Sequence, residues 1–361
     1  MRVLGIETSC DETAVSVVEA QIGKTGILAN VVSSQIRLHE QFGGIVPEVA
    51  TREHLRNLPQ LVPGLLTQSR IRLDDLDAIA VTQGPGLATS LLIGYSYARA
   101  LGLAADIPVC GVNHLEGHLF SPFLALSQKV EFPFIGLIVS GGHTLLVHAK
   151  GWNHYEKLGG TVDDAAGEAF DKVARLMDIS YPGGPKIERL ARTGNAEAYA
   201  FPRSFPQKDN FNFSFSGLKT SVRYFFEKNP QAHDDNAWKA DLCASFQSAV
   251  VDVLARKAGN ALAATGCKRL VASGGVLCNN ALRVALAQAC AEQGANLLVA
   301  DPKLCTDNAA MIAATAAEKM AAGIPLTLAT DIDPNLSLFK RPGSTAAVKN
   351  KEKLMRSLKP A

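Results

Sequence analysis

The sequence predicts an α/β protein built from a duplicated unit, and three observations carry that prediction. Short apolar runs alternate with helical stretches along the whole chain. A strand–turn–strand pattern near residue 2 returns near residue 134, as expected of an internal repeat. Hydrophobic residues make up 47% of the 361 positions and charged residues 19%, enough apolar mass for two cores.

The elements follow in order. Residues 2–7 read as a buried strand, 8–13 as a polar turn and 14–18 as a second strand. Residues 47–66 read as a helix with one apolar stripe, broken near Pro59. A strand at 78–82 runs into Gly84-Pro85-Gly86 and a helix from Thr89, and a strand at 109–112 runs into a helix carrying His114. The repeat opens with a strand at 134–139, a glycine turn at 140–143 and a strand at 144–149. Helices follow at 161–177 and 240–264, with an aromatic, polar, irregular insertion at 201–220 between them. A strand at 269–272 ends in Ser273-Gly274-Gly275 before a helix from Asn279, and a strand at 296–300 precedes a loop and a helix at 308–322. Each of the two strand–turn–strand units is expected to open one lobe. Residues 340–361 carry seven Lys/Arg against one Glu and few apolar residues, and read as a mobile basic tail.

Composition narrows the function. The net charge of +2 provides no global field for nucleic acid, so any basic surface must be local. The seven cysteines, an odd number with no CxxC spacing, argue against a disulfide framework or a structural zinc cluster. Reduced thiols in a cytoplasmic protein fit best. Acids stand too early at the N-terminus for a signal peptide, and no apolar run reaches about 18 residues, so no membrane span is expected.

Asn113-His114-Leu115-Glu116-Gly117-His118 places two imidazoles four residues apart, on one face of a helix. Both rings can reach one ion; the alternative is a capping or core pair. In the HExxH motif of zinc proteases the acid follows the first His directly. Here it is Glu116, about 200° round the helix from His114, and it points away from the shared ion. Asp307, in a polar loop after a strand, is the best third ligand; taken alone it reads strongly as the N-cap of the following helix. Two His and one carboxylate leave open positions and suit Fe(2+) or Zn(2+).

Three glycine turns, Ser140-Gly141-Gly142-His143, Pro182-Gly183-Gly184-Pro185 and Ser273-Gly274-Gly275, sit at element ends, where bare backbone can approach a phosphate or ribose. None is a Walker A loop or a GxGxxG fingerprint. Asp171 and Glu188 could take ribose hydroxyls and Asn279 the base or sugar; each could also be an ordinary surface or capping residue.

These segments, together with ETSCDET from Glu7, DDAAGEAFDK from Asp163 and FSFSGLKT from Phe213, run in one order over roughly residues 1–340. So ordered, the sequence resembles the bacterial form of the universal tRNA threonylcarbamoyladenosine synthase catalytic subunit, a family once called O-sialoglycoprotein endopeptidase. The resemblance implies an actin-like, sugar-kinase-like fold of two RNase-H-like lobes around a central cleft. It implies transfer of a threonylcarbamoyl group from threonylcarbamoyl-AMP to N6 of the adenosine 3′-adjacent to the anticodon, in tRNAs reading codons that begin with A. By motif, His114, His118 and Asp307 match the metal ligands. Leu137, Ile138, Val139, Ser140, Gly141, Gly142, Asp171, Gly184, Glu188 and Asn279 match substrate-binding positions. At 188 many relatives carry Asp.

The implied chemistry needs a strongly polarised carbonyl, because an exocyclic amine is a poor nucleophile; an open-site metal, Fe(2+) or Zn(2+), can polarise it. Glu12 or Asp11, on the first turn, could orient the amine, and His143 is another candidate. Expected partners are tRNA, a related paralogous pseudo-enzyme subunit and a small ATPase. Val49, Leu55, Leu58 and Val62 on the 47–66 helix offer either a docking face for that subunit or part of the chain's own core. Arg52, Arg56, Lys219, Arg223 and the tail are candidate phosphate contacts. Two rival functions remain at this level: a metal-dependent peptidase, against which Glu116 argues, and a non-catalytic ATP-binding scaffold, for which a full metal triad would be superfluous.

Overall fold

The computed structural model describes residues 1–21, 24–126, 130–230, 235–326 and 330–339; the basic tail lies outside the described residues. The first sheet is a meander of β1 (Arg2–Glu7), β2 (Glu12–Gln21) and β3 (Lys24–Ser34), extended on the other side of β1 by β4 (Ala78–Gly84) and β5 (Val109–Asn113). Its order is β3-β2-β1-β4-β5, with the meander antiparallel and β4 and β5 parallel to β1. The second contains β6 (Phe134–Val139), β7 (Thr144–Gly151), β8 (His154–Gly160), β9 (Arg269–Ser273) and β10 (Asn296–Val299). Its order, β10-β9-β6-β7-β8, and its strand directions repeat the first strand for strand. The internal repeat read from the sequence is thus present in three dimensions, with the duplicated topology expected of an actin-like fold.

Both central strands are buried on two faces, which is why they read as continuous apolar runs. On β1, Leu4 and Ile6 join Leu58, Val62, Leu65 and Ala98 from helices Pro47–Ser69 and Ala88–Ala105, while Val3 faces the alanine-rich helix Ala309–Ala321. On β6, Ile135, Leu137 and Val139 face helices including Ala166–Leu176, Gly183–Ala191, Asn236–Thr265 and Asn280–Glu292, while Phe134 and Ile138 face helix His114–Leu126. Each central strand carries a glycine where a helix crosses it. A Cβ on Gly5 would lie 2.3 Å from the Ala309 carbonyl oxygen, and one on Gly136 would lie 2.3 Å from Leu119 Cδ2. The two crossing helices also touch each other, since a Cβ on Gly117 would meet Ile312 and Met311. The start of one and the approach to the other carry all three predicted metal ligands.

Several sequence expectations need correction. β3 and β8 were not expected, and β2 begins two residues earlier and ends three later than 14–18. Helix Pro47–Ser69 continues through Pro59 and Pro63, which lie on its solvent side together with Leu55, so the carbonyls they leave free at Leu55 and Pro59 are on an exposed face. The 161–177 helix starts only at Ala166, because Asp163 and Asp164 are engaged elsewhere. The insertion is shorter than 201–220: helix Ser216–Lys228 begins inside it, its N-terminus capped by Asp163, which accepts from Phe215 N at 2.9 Å and Ser216 N at 3.3 Å. Leu58 and Val62 belong to the core and so cannot form a docking face; Val49 is half-buried and Leu55 is exposed. Among the described residues no helix is long and apolar enough to cross a membrane.

Candidate active site

Helix His114–Leu126 springs directly from β5. Asn113 starts it, its Oδ1 accepting from Leu115 N at 2.9 Å, so His114 sits in the first turn and His118 one turn on. Pro122 removes the N–H that would bond the His118 carbonyl; the Ser121 hydroxyl donates to that carbonyl instead, at 3.1 Å. Asp307 does not cap the helix that follows it. Asn308 does, accepting from Met311 N at 3.0 Å, and the Asp307 carboxylate is left to face the imidazoles.

Asp307 Oδ1 lies 3.1 Å from His118 Nε2 and 3.5 Å from His114 Nε2, and the two rings stand nearly perpendicular with centroids 4.7 Å apart. Behind His114, on the side away from Asp307, is a buried carboxylate: Glu7 Oε2 is 3.0 Å from His114 Nδ1. Glu7 also accepts from Ser9 N and from Thr82 Oγ1, both at 2.5 Å. Burial opposes the charge on Glu7 and on Asp307, but the neighbouring imidazoles outweigh it and lower both pKa values. Burial likewise opposes charge on His114, yet Asp307 and Glu7 raise its pKa to about 9. Burial and the two other histidines lower that of His143, whose ring centroid is 6.4 Å from His114, to about 4.

This arrangement fits a divalent cation. One atom from each of His114, His118 and Asp307 lies within 4.8 Å of the others. The Glu7 carboxylate accepts the proton on His114 Nδ1, which leaves the Nε2 lone pair toward Asp307, the usual carboxylate–histidine support of a metal ligand. Two carboxylates beside two imidazoles form a site in which a cation can replace a bound proton. Glu116 takes no part: it accepts from Tyr155 Oη at 2.6 Å and from Lys319 Nζ at 2.7 Å, buried on the far side of the helix. The expectation that it points away from the ion is met.

The other predicted residues fall into four groups. Leu137, Ile138 and Val139 have fully buried side chains, so only their backbone could meet a ligand. Ser140, Gly141 and Gly142 form the turn beyond β6, where a Cβ on Gly141 or Gly142 would meet nothing within 4 Å, an open approach for a ligand. Asp171 and Glu188 lie within helices and reach the starts of other helices, where Gly184 and Asn279 stand. Asp171 accepts from Gly183 N at 2.7 Å, and burial raises its pKa. Glu188 accepts from Asn280 N at 2.9 Å, and Asn279 caps its helix through Leu282 N while donating to Gln247. Asp11 is buried in the turn after β1, and Glu12 beside it has its pKa raised well above the usual range, by burial first and then by Asp11 and Asp307. Glu7, Ser9 and Thr82 were missed by sequence reasoning; the available signal was an acid closing an apolar strand, where no charge should be buried without a partner. Of the predicted phosphate contacts, Lys219 is paired with Asp164, Arg223 with Glu227 and Arg56 with Glu53, while Arg52 is exposed.

Comparison with known proteins agrees. The profile of the TsaD family, described as tRNA N6-adenosine threonylcarbamoyltransferase, matches residues 26–314. A protein of that name from Geotalea uraniireducens (strain Rf4) is 52% identical over 313 residues, covering 87% of this chain and 90% of its own. Another, from Kosmotoga olearia, is 47% identical over 338 residues, covering 94% of this chain and 99% of its own. Among solved structures, T. kodakarensis HypF superposes with a TM-score of 0.59 at 16% identity, over 89% of this chain and 48% of that one. Full-length HypF in its phosphate- and nucleotide-bound form gives 0.56 at 14%, over 88% and 46%. Those likenesses establish the actin-like, sugar-kinase-like fold alone, and this chain spans about half the HypF length. The sequence relatives establish more: the chain belongs to the TsaD family of tRNA N6-adenosine threonylcarbamoyltransferases, enzymes of the transferase class.

Proposed function

We propose that this chain transfers a threonylcarbamoyl group from threonylcarbamoyl-AMP to N6 of the adenosine 3′-adjacent to the anticodon, in tRNAs reading codons that begin with A. The observation that carries the reading is the convergence of His114, His118 and Asp307 beside the open Ser140–Gly142 turn. In this proposal residues 1–112, completed by 308–339, form one lobe and 113–307 the other, with the cleft between them taking the donor. His114, His118 and Asp307 hold a divalent metal, Fe(2+) or Zn(2+), which when bound supplies Lewis acidity at the donor carbonyl. The backbone of residues 137–142, with Asp171, Gly184, Glu188 and Asn279, holds the adenylate and so fixes the carbonyl in place.

The N6 amine attacks the carbonyl carbon, a C–N bond forms, the C–O bond to the phosphate breaks, and AMP leaves with the electron pair. Asp11 and Glu12 orient the amine. One of these two carboxylates takes the proton that N6 loses. The target adenosine leaves its stack to enter, at the modest cost typical of an anticodon loop. A related paralogous subunit and a small ATPase assist turnover, and the reaction takes place in the cytoplasm. A peptidase reading gains nothing from the structure, because Glu116 is locked to Tyr155 and Lys319. The deciding experiment supplies the metal-loaded chain with threonylcarbamoyl-AMP, unmodified tRNA and the partner proteins; absence of threonylcarbamoyladenosine in the tRNA refutes the proposal.

A further inference from the structure

Beneath the turn that carries Asp11 and Glu12 runs a chain of buried polar side chains outside the metal centre. Thr13, Gln35, His39 and His54 are each 1% exposed or less. Their contacts admit one consistent set of tautomers. Val46 N–H donates to His39 Nδ1 at 3.2 Å, so the His39 proton is on Nε2, which donates to Gln35 Oε1 at 3.3 Å. That fixes the Gln35 amide: its Nε2 donates toward His54 Nδ1 at 3.4 Å and the Ala50 carbonyl at 3.5 Å. The Thr13 hydroxyl donates to the same His54 Nδ1 at 2.8 Å. With Nδ1 accepting, the His54 proton is on Nε2, which donates to the Cys10 carbonyl at 2.9 Å. Gln35 also donates its backbone N–H to the Asp11 carbonyl at 3.0 Å. Two consecutive carbonyls of the turn are therefore held from below by one network. Burial lowers the pKa of His54, which favours the neutral ring this network requires.

The far end of the chain reaches the other half of the molecule. Helix Ile36–Glu40 places the Glu40 carboxylate 3.2 Å from Lys186 Nζ, on helix Gly183–Ala191. Gly43, just beyond, lies against the Arg175 guanidinium, where an added Cβ would sit 3.8 Å from Cζ. Both partners belong to helices that cover the second sheet. Residues 36–46 thus touch the second half of the fold at one end of the network, and the Asp11–Glu12 turn stands at the other.

We propose that His54 is a positioning residue for the transfer: with Gln35 and His39 it couples the 36–46 segment, seated on the second half of the fold, to the Cys10 and Asp11 carbonyls and hence to the aim of the Asp11 and Glu12 side chains. It acts without touching donor, tRNA or metal. The inference rests on the role proposed above for Asp11 and Glu12. His54→Phe keeps a ring but removes donor and acceptor, whereas His54→Gln retains one of each. In the assay with threonylcarbamoyl-AMP, tRNA and partner proteins, His54→Phe should lower kcat by about 10²-fold, the effect of a misplacement near 1 Å. KM for tRNA and bound metal should stay unchanged, and His54→Gln should recover most of kcat. In a Glu12→Gln background His54→Phe should cost little more, because both act through one group.

A slow Glu12→Gln enzyme beside a fully active His54→Phe enzyme overturns the coupling and leaves the role of the turn intact. Wild-type turnover by both Glu12→Gln and Asp11→Asn overturns the underlying role itself. Full additivity of His54→Phe with Glu12→Gln shows a merely structural part and also overturns the proposal. Should His54→Phe fail to fold, His39→Leu breaks the chain at its far end, and the same kcat loss, restored by His39→Gln, is required; unchanged kcat there overturns the coupling.

Discussion

Glu7→Ala tests the electrostatic construction of the centre at its least exposed point. Glu7 accepts hydrogen bonds from Ser9 N, Thr82 Oγ1 and His114 Nδ1, all in the interior. Removing the carboxylate strands Ser9 N and Thr82 Oγ1 and leaves His114 Nδ1 only the Ser9 hydroxyl, 3.3 Å away, and breaking a buried pair from one side costs about 3–5 kcal/mol. His114 also loses the acceptor that sets its tautomer and ring orientation, a change that typically lowers metal affinity by about 10- to 100-fold. Glu7→Gln retains an acceptor oxygen for His114 and should fall between wild type and Ala. Urea denaturation of the metal-free proteins reads the first effect, and competition with a chelator reads the second. The pKa of Glu7 is lowered in the fold, so its contribution is present above the ordinary glutamate value of 4.5 and is lost as pH falls through the folded value. If Glu7→Ala binds metal as tightly as wild type, Glu7 does not support His114 and the reasoning fails. An unchanged denaturation midpoint would refute the stability argument separately.

Three further outcomes are expected. His114→Ala or His118→Ala should abolish metal retention and transfer while the fold survives, and full metal content by elemental analysis of the double variant would refute the triad. In metal-free protein the raised His114 pKa contributes stability that is fully present below 6.5 and is lost as pH rises through about 9, so wild type should lose its advantage over His114→Ala across that window, read from denaturation midpoints. Truncation after Phe339 removes seven Lys/Arg and should weaken tRNA binding and flatten its salt dependence, leaving turnover at saturating tRNA near wild type; an unchanged salt slope refutes a role for the tail.

Much of the site was legible because its grammar is local. The four-residue spacing of His114 and His118 puts both rings on one helix face whatever surrounds the helix. Ser140-Gly141-Gly142 announces a bare turn after a buried strand, and the structure leaves that turn open. The strands read least well were those that break the two-residue alternation. β3 is a sheet edge with Ile27, Leu28 and Val32 exposed, and its pairing with β2 shifts register near Val17; β8 shifts register twice against β7. Helix Ser216–Lys228 escaped detection because its cap, Asp163, lies about fifty residues upstream.

By itself the sequence determined the α/β class, the repeat, the two histidines and, through its ordered motifs, the family. Only the tertiary structure decided what meets those histidines. Asp307 stands 189 residues from His118 and Glu7 stands 107 residues from His114. In the sequence Asp307 is the best third ligand beside the two histidines and, taken alone, a strong candidate for the helix cap; in the structure Asn308 does the capping. The reason is physical: side-chain periodicity encodes which residues share a face, but a buried carboxylate is tolerable only beside its partner, and that pairing exists only once two crossing helices and the end of β1 have packed together.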